Sequence, residues 1–149
     1  MGGLYCPPLS MINFYIKSRP RPQQRHRSSG RNFYYDPSSK DKKKFKLLSK
    51  EYSPRSPLIG FIEINFTFCY KRPQKHYRTK NKKKVLKDNM PYYKKSRPDI
   101  DNLCKFYMDA MQGTFYKDDA QITTLLATKV YGSEDYIHVK ISSTKKYCK

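Results

Sequence analysis

Arg97-Pro98-Asp99-Ile100-Asp101-Asn102-Leu103-Cys104-Lys105-Phe106-Tyr107-Met108-Asp109-Ala110-Met111-Gln112-Gly113, continuing through Thr114-Phe115-Tyr116-Lys117-Asp118-Asp119-Ala120-Gln121-Ile122, is the stretch that decides the fold. From about Asp101 to Gln112, Leu103, Phe106, Tyr107, Ala110 and Met111 recur at helical spacing and predict a helix with one apolar side. Gly113 is a suitable terminator, since helices often end on a left-handed residue. After it, Ile122, Thr124, Leu126, Thr128 and Val130 alternate with Lys129 and Tyr131, the period of a strand.

Working outward, Leu58 to Tyr70 is the best strand pattern, with Ile62, Ile64, Phe66, Phe68 and Tyr70 on one face. Ile137, Val139 and Ile141 form another strand. Gly132-Ser133-Glu134-Asp135 reads as a turn joining it to the strand before, so a hairpin is expected. Upstream, Ile12, Phe14 and Ile16 alternate within a strand over 11–17. Asp36-Pro37-Ser38-Ser39 predicts a helix start, with Asp36 as cap and Pro37 at the first position, running to about Lys50 with Phe45, Leu47 and Leu48 apolar. Residues 18–31 read as a basic loop or polar hairpin. The order β, basic loop, α, β, basic loop, α, β, β gives a single small α+β domain. It is expected over 11–143, between tails at 1–10 and 144–149. Residues 71–97 form a basic connection with twelve Lys/Arg and one acid, Asp88, long enough to suggest function or flexibility.

Lys and Arg outnumber Asp and Glu by 32 to 12, a net charge of +20 in 149 residues. That excess favours a polyanionic partner. The apolar content is low at 37%, but fourteen Tyr and eight Phe supply large buried areas. No apolar run is long enough to span a membrane, no signal peptide is visible, and Cys6 stands where a myristoylation signal needs Ser or Thr. An intracellular, DNA-associated, cytoplasmic protein that is not secreted is expected. Cys6, Cys69, Cys104 and Cys148 are scattered, which speaks against zinc and for free thiols in a reducing compartment.

Against this basic background, five of the twelve acids fall between residues 99 and 119. Asp101, Lys105 and Asp109 are spaced by four and line one stripe of the helix. One reading is structural: Asp99 caps the helix, Asp101 favours its first turn, and Asp101 and Asp109 pair with Lys105 at the surface. The other is a cation site. Two carboxylates about 4 Å apart repel by roughly 4 kcal/mol at an effective dielectric of about 20. Oxygen ligands without paired His or Cys suit Mg²⁺, or Mn²⁺ in its place. If the following strand packs beside the helix, Asp119 is expected to reach Asp99 and Asp101. His26, His76 and His138 do not cluster, so a histidine base is not expected.

Pro98-Asp99-x-Asp101-Asn102-Leu103-x-Lys105, then Asp109-Ala110, Gly113 and Asp118-Asp119-x-Gln121-Ile122, resembles the signature of the RusA family of Holliday junction resolvases. The resemblance extends more loosely over 11–143, through Arg19-Pro20-Arg21-Pro22, the central strand and the strand carrying Lys129. It implies a mixed β-sheet with two main helices, and a homodimeric, Mg²⁺-dependent endonuclease that nicks four-way DNA junctions in pairs. It implies Asp99, Asp101 and Asp119 as metal-binding catalytic carboxylates, Asp118 as a helper, and Lys105 as the catalytic lysine. Asn102 would fix the local backbone. Such proteins are typical of phages and prophages and occur in large DNA viruses.

Phosphate contacts are expected from Arg19, Arg21, Arg25 and Arg27, whose forks match phosphate geometry, and from Lys71, Arg72, Lys75, Arg78, Arg97 and Lys129. The lysines at 80–84 read equally as a solvated run. Two other functions stay open: a non-catalytic nucleic-acid-binding protein, and a metal-dependent nuclease for flap or other branched DNA, or for RNA.

Overall fold

The computed structural model describes residues 10–30 and 33–145. Strand β1 (Ser10–Ile16) is followed by a polar hairpin of β2 (Arg27–Ser28) and β3 (Tyr34–Tyr35). Then come α1 (Ser39–Ser49), β4 (Phe61–Lys71), a second hairpin of β5 (Tyr77–Lys80) and β6 (Lys83–Leu86), α2 (Ile100–Met111), β7 (Ile122–Gly132) and β8 (Tyr136–Thr144). The main sheet has the order β1-β8-β4-β7, with β4 and β7 parallel and the other pairs antiparallel. This is the mixed sheet and two-helix α+β domain expected. The expected tail positions 1–9 and 146–149, with Cys6 and Cys148, lie outside the described residues.

Alternation sets the core. Ile62, Ile64, Phe66, Phe68 and Tyr70 of β4 are all buried, beside Ile137, Val139 and Ile141 of β8 and Phe14 and Ile16 of β1. Leu103, Phe106, Tyr107, Ala110 and Met111 of α2 close over them, as their spacing requires. β4 starts three residues later than its pattern suggests because Gly60, at φ +87°, turns the chain first. Cys69 and Cys104 are free and buried, and burial pushes both thiols up, that of Cys104 to about 11.

Three expectations need correction. β7 and β8 do not pair as a hairpin; β4 lies between them. Periodicity identifies a strand without naming its neighbour, and here the 132–135 turn steps over the end of β4. It is fastened there by the Lys71 N–H donating to Asp135 Oδ1 (2.8 Å) and the Arg72 N–H donating to the Gly132 carbonyl (2.9 Å). α1 begins at Ser39, not at Pro37: Asp36 accepts from the Ser38 N–H (2.8 Å) in a turn before the helix. Of the expected apolar face of α1 only Phe45 is buried: Leu47 and Leu48 are exposed, Leu47 because two steps of about 100° carry it to the opposite side of the helix. The 71–97 connection is folded around the β5–β6 hairpin, and residues 92–94 run back along the outer edge of β7.

At the crossing between the turn and β4, a Cβ on Gly132 would stand 2.5 Å from Cys69 Sγ. Gly132→Ala is expected to cost about 1–3 kcal/mol by overpacking. Adding Cys69→Ala should recover part of that loss, and urea unfolding of the two single variants and the double variant measures the coupling.

Candidate active site

Parallel pairing of β4 and β7 forces the intervening helix to run against them. α2 therefore starts near the C-terminal end of β7, where Lys129 Nζ donates to the Pro98 carbonyl (2.7 Å), and ends near the start of β7. Between α2 and β7 lies a groove of about 560 Å³, lined by Asp101, Lys105 and Asp109 from the helix, Asp119 from the turn before β7, and an apolar side that includes Leu125 and Ala127. The helical stripe read from the sequence is thus one wall of a groove, and Asp119 faces it.

The five acids are not gathered at one point. Asp119 lies toward Asp109, whose charge it feels, while Asp99 stands before the first turn of α2, a helix about 18 Å long. Asp99 does not line the groove. Among the described residues, no three His, Cys, Asp or Glu side chains close on one cation position. The donor chemistry nonetheless suits a hard divalent ion, since all the acids offer oxygen.

The simple surface reading fares poorly. The Asp99 side chain makes no capping hydrogen bond, and among the described residues Asp99, Asp101 and Lys105 have no ion-pair partner. Asp109 is different: Lys42 of α1 donates to it at 3.2 Å. Asp118 and Asp119 interact as carboxyl neighbours. The hydrogen bond with Asp118, then burial and repulsion from Asp118 and Asp109, raises the Asp119 pKa. The Ala120 N–H and the bond to Asp119 lower that of Asp118. Two neighbouring carboxylates oppose each other's ionisation, and a counter-charge relieves that opposition.

Gln121 was quoted in the motif without a role, and the structure supplies one. Its Oε1 accepts from the N–H groups of Lys117 and Asp118 (2.9 and 3.0 Å), and its Nε2 donates to the carbonyls of Leu58 and Gly60 (both 3.1 Å). It clamps the Asp118-Asp119 turn to the entrance of β4. Lys94 was also missed. It is 9% exposed, and its ammonium donates to the Ser96 carbonyl and hydroxyl and to the Arg97 carbonyl. A lysine within a basic run carries no sequence signal that it turns inward.

Among the expected phosphate contacts, Arg25 shares a cavity of about 230 Å³ with Lys105, which also lines the groove; Gln23, Gln24, His26 and Asn102 line the same cavity. The Asn102 carbonyl accepts from the Gln23 N–H at 2.9 Å, tying this segment to α2. Arg21 and Arg27 are exposed, as are Lys71, Lys75, Arg78 and Arg97; Arg78 pairs with Asp88 at 3.2 Å. Arg19 lies over Tyr70 near Asp135, and Arg72 over Tyr131 with Nη1 on the Pro91 carbonyl. Lys129 donates to the carbonyls of Ser96 and Pro98, so its ammonium is occupied by the loop before Asp99. The histidines stay apart: His76 is buried against Tyr131, and His138 stacks on Tyr15.

Lys42 joins the groove to α1, because it also donates to Asp36 Oδ2 (2.9 Å), while Gln23 Nε2 and the Ser38 N–H donate to Asp36 Oδ1 (2.9 and 2.8 Å). Burial alone would raise the Asp36 pKa, but these bonds outweigh it and hold it below the ordinary 3.8. A depressed carboxylate stabilises the fold above its unfolded pKa and loses that contribution as pH falls through the folded one. Asp36→Ala is therefore expected to cost about 1–3 kcal/mol at pH 7. The gap to the unaltered protein should close as the pH drops below about 3.8, read from urea unfolding at several pH values.

The comparisons with known proteins agree with the motif. The family described as Endodeoxyribonuclease RusA matches residues 14–142. Uncharacterized protein YqaN of Bacillus subtilis (strain 168) is 27% identical over 138 residues, covering 89% of this chain and 96% of that protein. A match that reaches from within β1 to within β8 and takes in both helices and the acidic groove shows that the chain belongs to the RusA endodeoxyribonuclease family.

Proposed function

We propose that this chain is a Mg²⁺-dependent, structure-selective endodeoxyribonuclease that resolves four-way DNA junctions by paired phosphodiester hydrolysis, acting as a homodimer. The observation that carries this reading is the groove: Asp101, Lys105, Asp109 and Asp119 face one cleft of a chain with net charge +20. Family membership supports the DNA-cleaving chemistry.

In this reading Asp101 and Asp119 from the groove, joined by Asp99 from just before α2, would hold the cation, with Asp118 assisting and Mn²⁺ able to substitute. A bound divalent cation supplies an activated water and a counter-charge for the leaving oxygen. The rest falls to the chain. Lys105, exposed between Asp101 and Asp109, donates to a phosphate oxygen as negative charge builds up on it. Lys42, 3.2 Å from Asp109 Oδ2, holds that carboxylate in one orientation. Arg25 and His26, beside Lys105, place the scissile strand, and the exposed Arg21, Arg27, Lys71, Lys75, Arg78 and Arg97 hold the arms through their backbones. Paired cuts on a two-fold symmetric junction call for a two-fold symmetric enzyme.

The test is a labelled synthetic four-way junction beside a linear duplex, a flap and an RNA of matched length, each with Mg²⁺ and with EDTA. Symmetric, Mg²⁺-dependent nicks confined to the junction are the expected result; cleavage of flap or RNA instead reassigns the substrate. Asp101→Asn should bind the junction normally and not cut it, and cutting at the unaltered rate would remove Asp101 from the site. Junction affinity should fall by about 10³–10⁵ between about 50 and 200 mM salt if roughly 6–10 phosphates are contacted. Tight binding without cleavage in either Mg²⁺ or Mn²⁺ would identify a non-catalytic binding protein.

A further inference from the structure

Among the described residues Lys94 is the only buried lysine, and it has no carboxylate partner. Its ammonium lies 5.1 Å from the Tyr70 ring centre and 5.9 Å from that of Tyr131. All its hydrogen bonds go to two residues: the carbonyl and hydroxyl of Ser96 and the carbonyl of Arg97. Lys129 takes the Ser96 carbonyl again (3.0 Å) and the Pro98 carbonyl (2.7 Å). Three consecutive carbonyls, at 96, 97 and 98, are therefore held by two ammonium groups. The next residue is Asp99. The platform beneath is rigid as well, for the Lys94 N–H donates to the Lys129 carbonyl (3.0 Å) and the Tyr131 N–H to the Tyr92 carbonyl (2.9 Å), pinning 92–94 to β7.

A buried cation without a counter-ion is costly, and a leucine would fill the space between two tyrosines without that cost. What a leucine cannot do is gather carbonyl oxygens. The side chain of Asp99, meanwhile, is not used to cap α2.

We infer that Lys94 is a positioning residue for Asp99: with Lys129 it gathers the 96–98 carbonyls and so fixes where the Asp99 carboxylate is presented to a divalent cation. This rests on the assignment of Asp99 as a cation ligand made above. Groups that orient a ligand from behind commonly contribute about 10- to 100-fold in metal affinity or activity.

The test uses the full chain and Mn²⁺, whose free ion is counted by electron paramagnetic resonance. Four proteins are compared: unaltered, Lys94→Met, Asp99→Asn and the double variant. Methionine keeps the unbranched stem between the rings and removes the charge. Lys94→Met is expected to weaken Mn²⁺ binding by about 10- to 100-fold and to raise the Mg²⁺ needed for half-maximal cleavage to match, while junction affinity in EDTA stays unchanged. In the Asp99→Asn background, Lys94→Met should add nothing, which a general loosening of the fold would not produce. If Asp99→Asn binds Mn²⁺ as the unaltered protein does, the ligand assignment fails and the inference with it. If Asp99→Asn loses Mn²⁺ and Lys94→Met does not, the inference alone is overturned. Should Lys94→Met not fold, Lys129→Met removes the bonds to Ser96 and Pro98 from a more exposed position; Mn²⁺ binding unchanged in that variant overturns the inference, and weakened binding upholds it.

Discussion

The parallel pairing of β4 with β7 is the constraint on which the rest depends. Two parallel neighbours cannot be joined by a turn, so the chain must return along the sheet, and it returns through α2. That return decides which face of α2 is buried, leaves the Asp101–Lys105–Asp109 stripe beside β7, and brings Asp119 to the opposite wall. It also spreads the acids along the groove, because the start of the helix and the start of β7 fall at opposite ends of the crossover. A short acidic motif in sequence becomes an elongated acidic lining in space.

Much of this was legible in the residues. The buried faces of β4, α2 and β8 follow from spacing alone, since residues such as Ile62 and Phe66, or Leu103 and Phe106, have one arrangement that removes them from water together. Strand partners were not legible. Nothing in Gly132 to Asp135 distinguishes a hairpin turn from a step across a neighbouring strand; the difference lies in backbone groups of Lys71 and Arg72 sixty residues earlier in the chain. The helix face of Leu47 was misjudged by composition where geometry would have corrected it.

The site shows the same division. Residue types named the chemistry, because carboxylates, lysines and no paired histidines or cysteines fit few cations. The supporting residues were hidden by their own ordinariness. Gln121 is a polar residue at the edge of a strand, Lys42 is one of many lysines on α1, and Lys94 follows two tyrosines in the most basic part of the chain. Each acts through hydrogen bonds to distant backbone or side-chain groups, which no local pattern encodes. The basic surplus therefore divides in two: most of it faces solvent, and a small inward-facing part builds the loop and the helix contacts that hold the acids.

β8 is hydrogen-bonded on both sides, to β1 and to β4, and among the described residues β1 has no other strand partner in the sheet. During synthesis β1 must therefore wait for its strand partner until residues 136–144 emerge. The groove can begin to form once β7 has met β4, but the sheet beneath it is sealed only by the last strand of the domain. Contacts this distant in sequence make assembly slow compared with a helical bundle of equal size. Whatever the order in which the other elements assemble, β8 is thus the piece that locks the two halves of the sheet together.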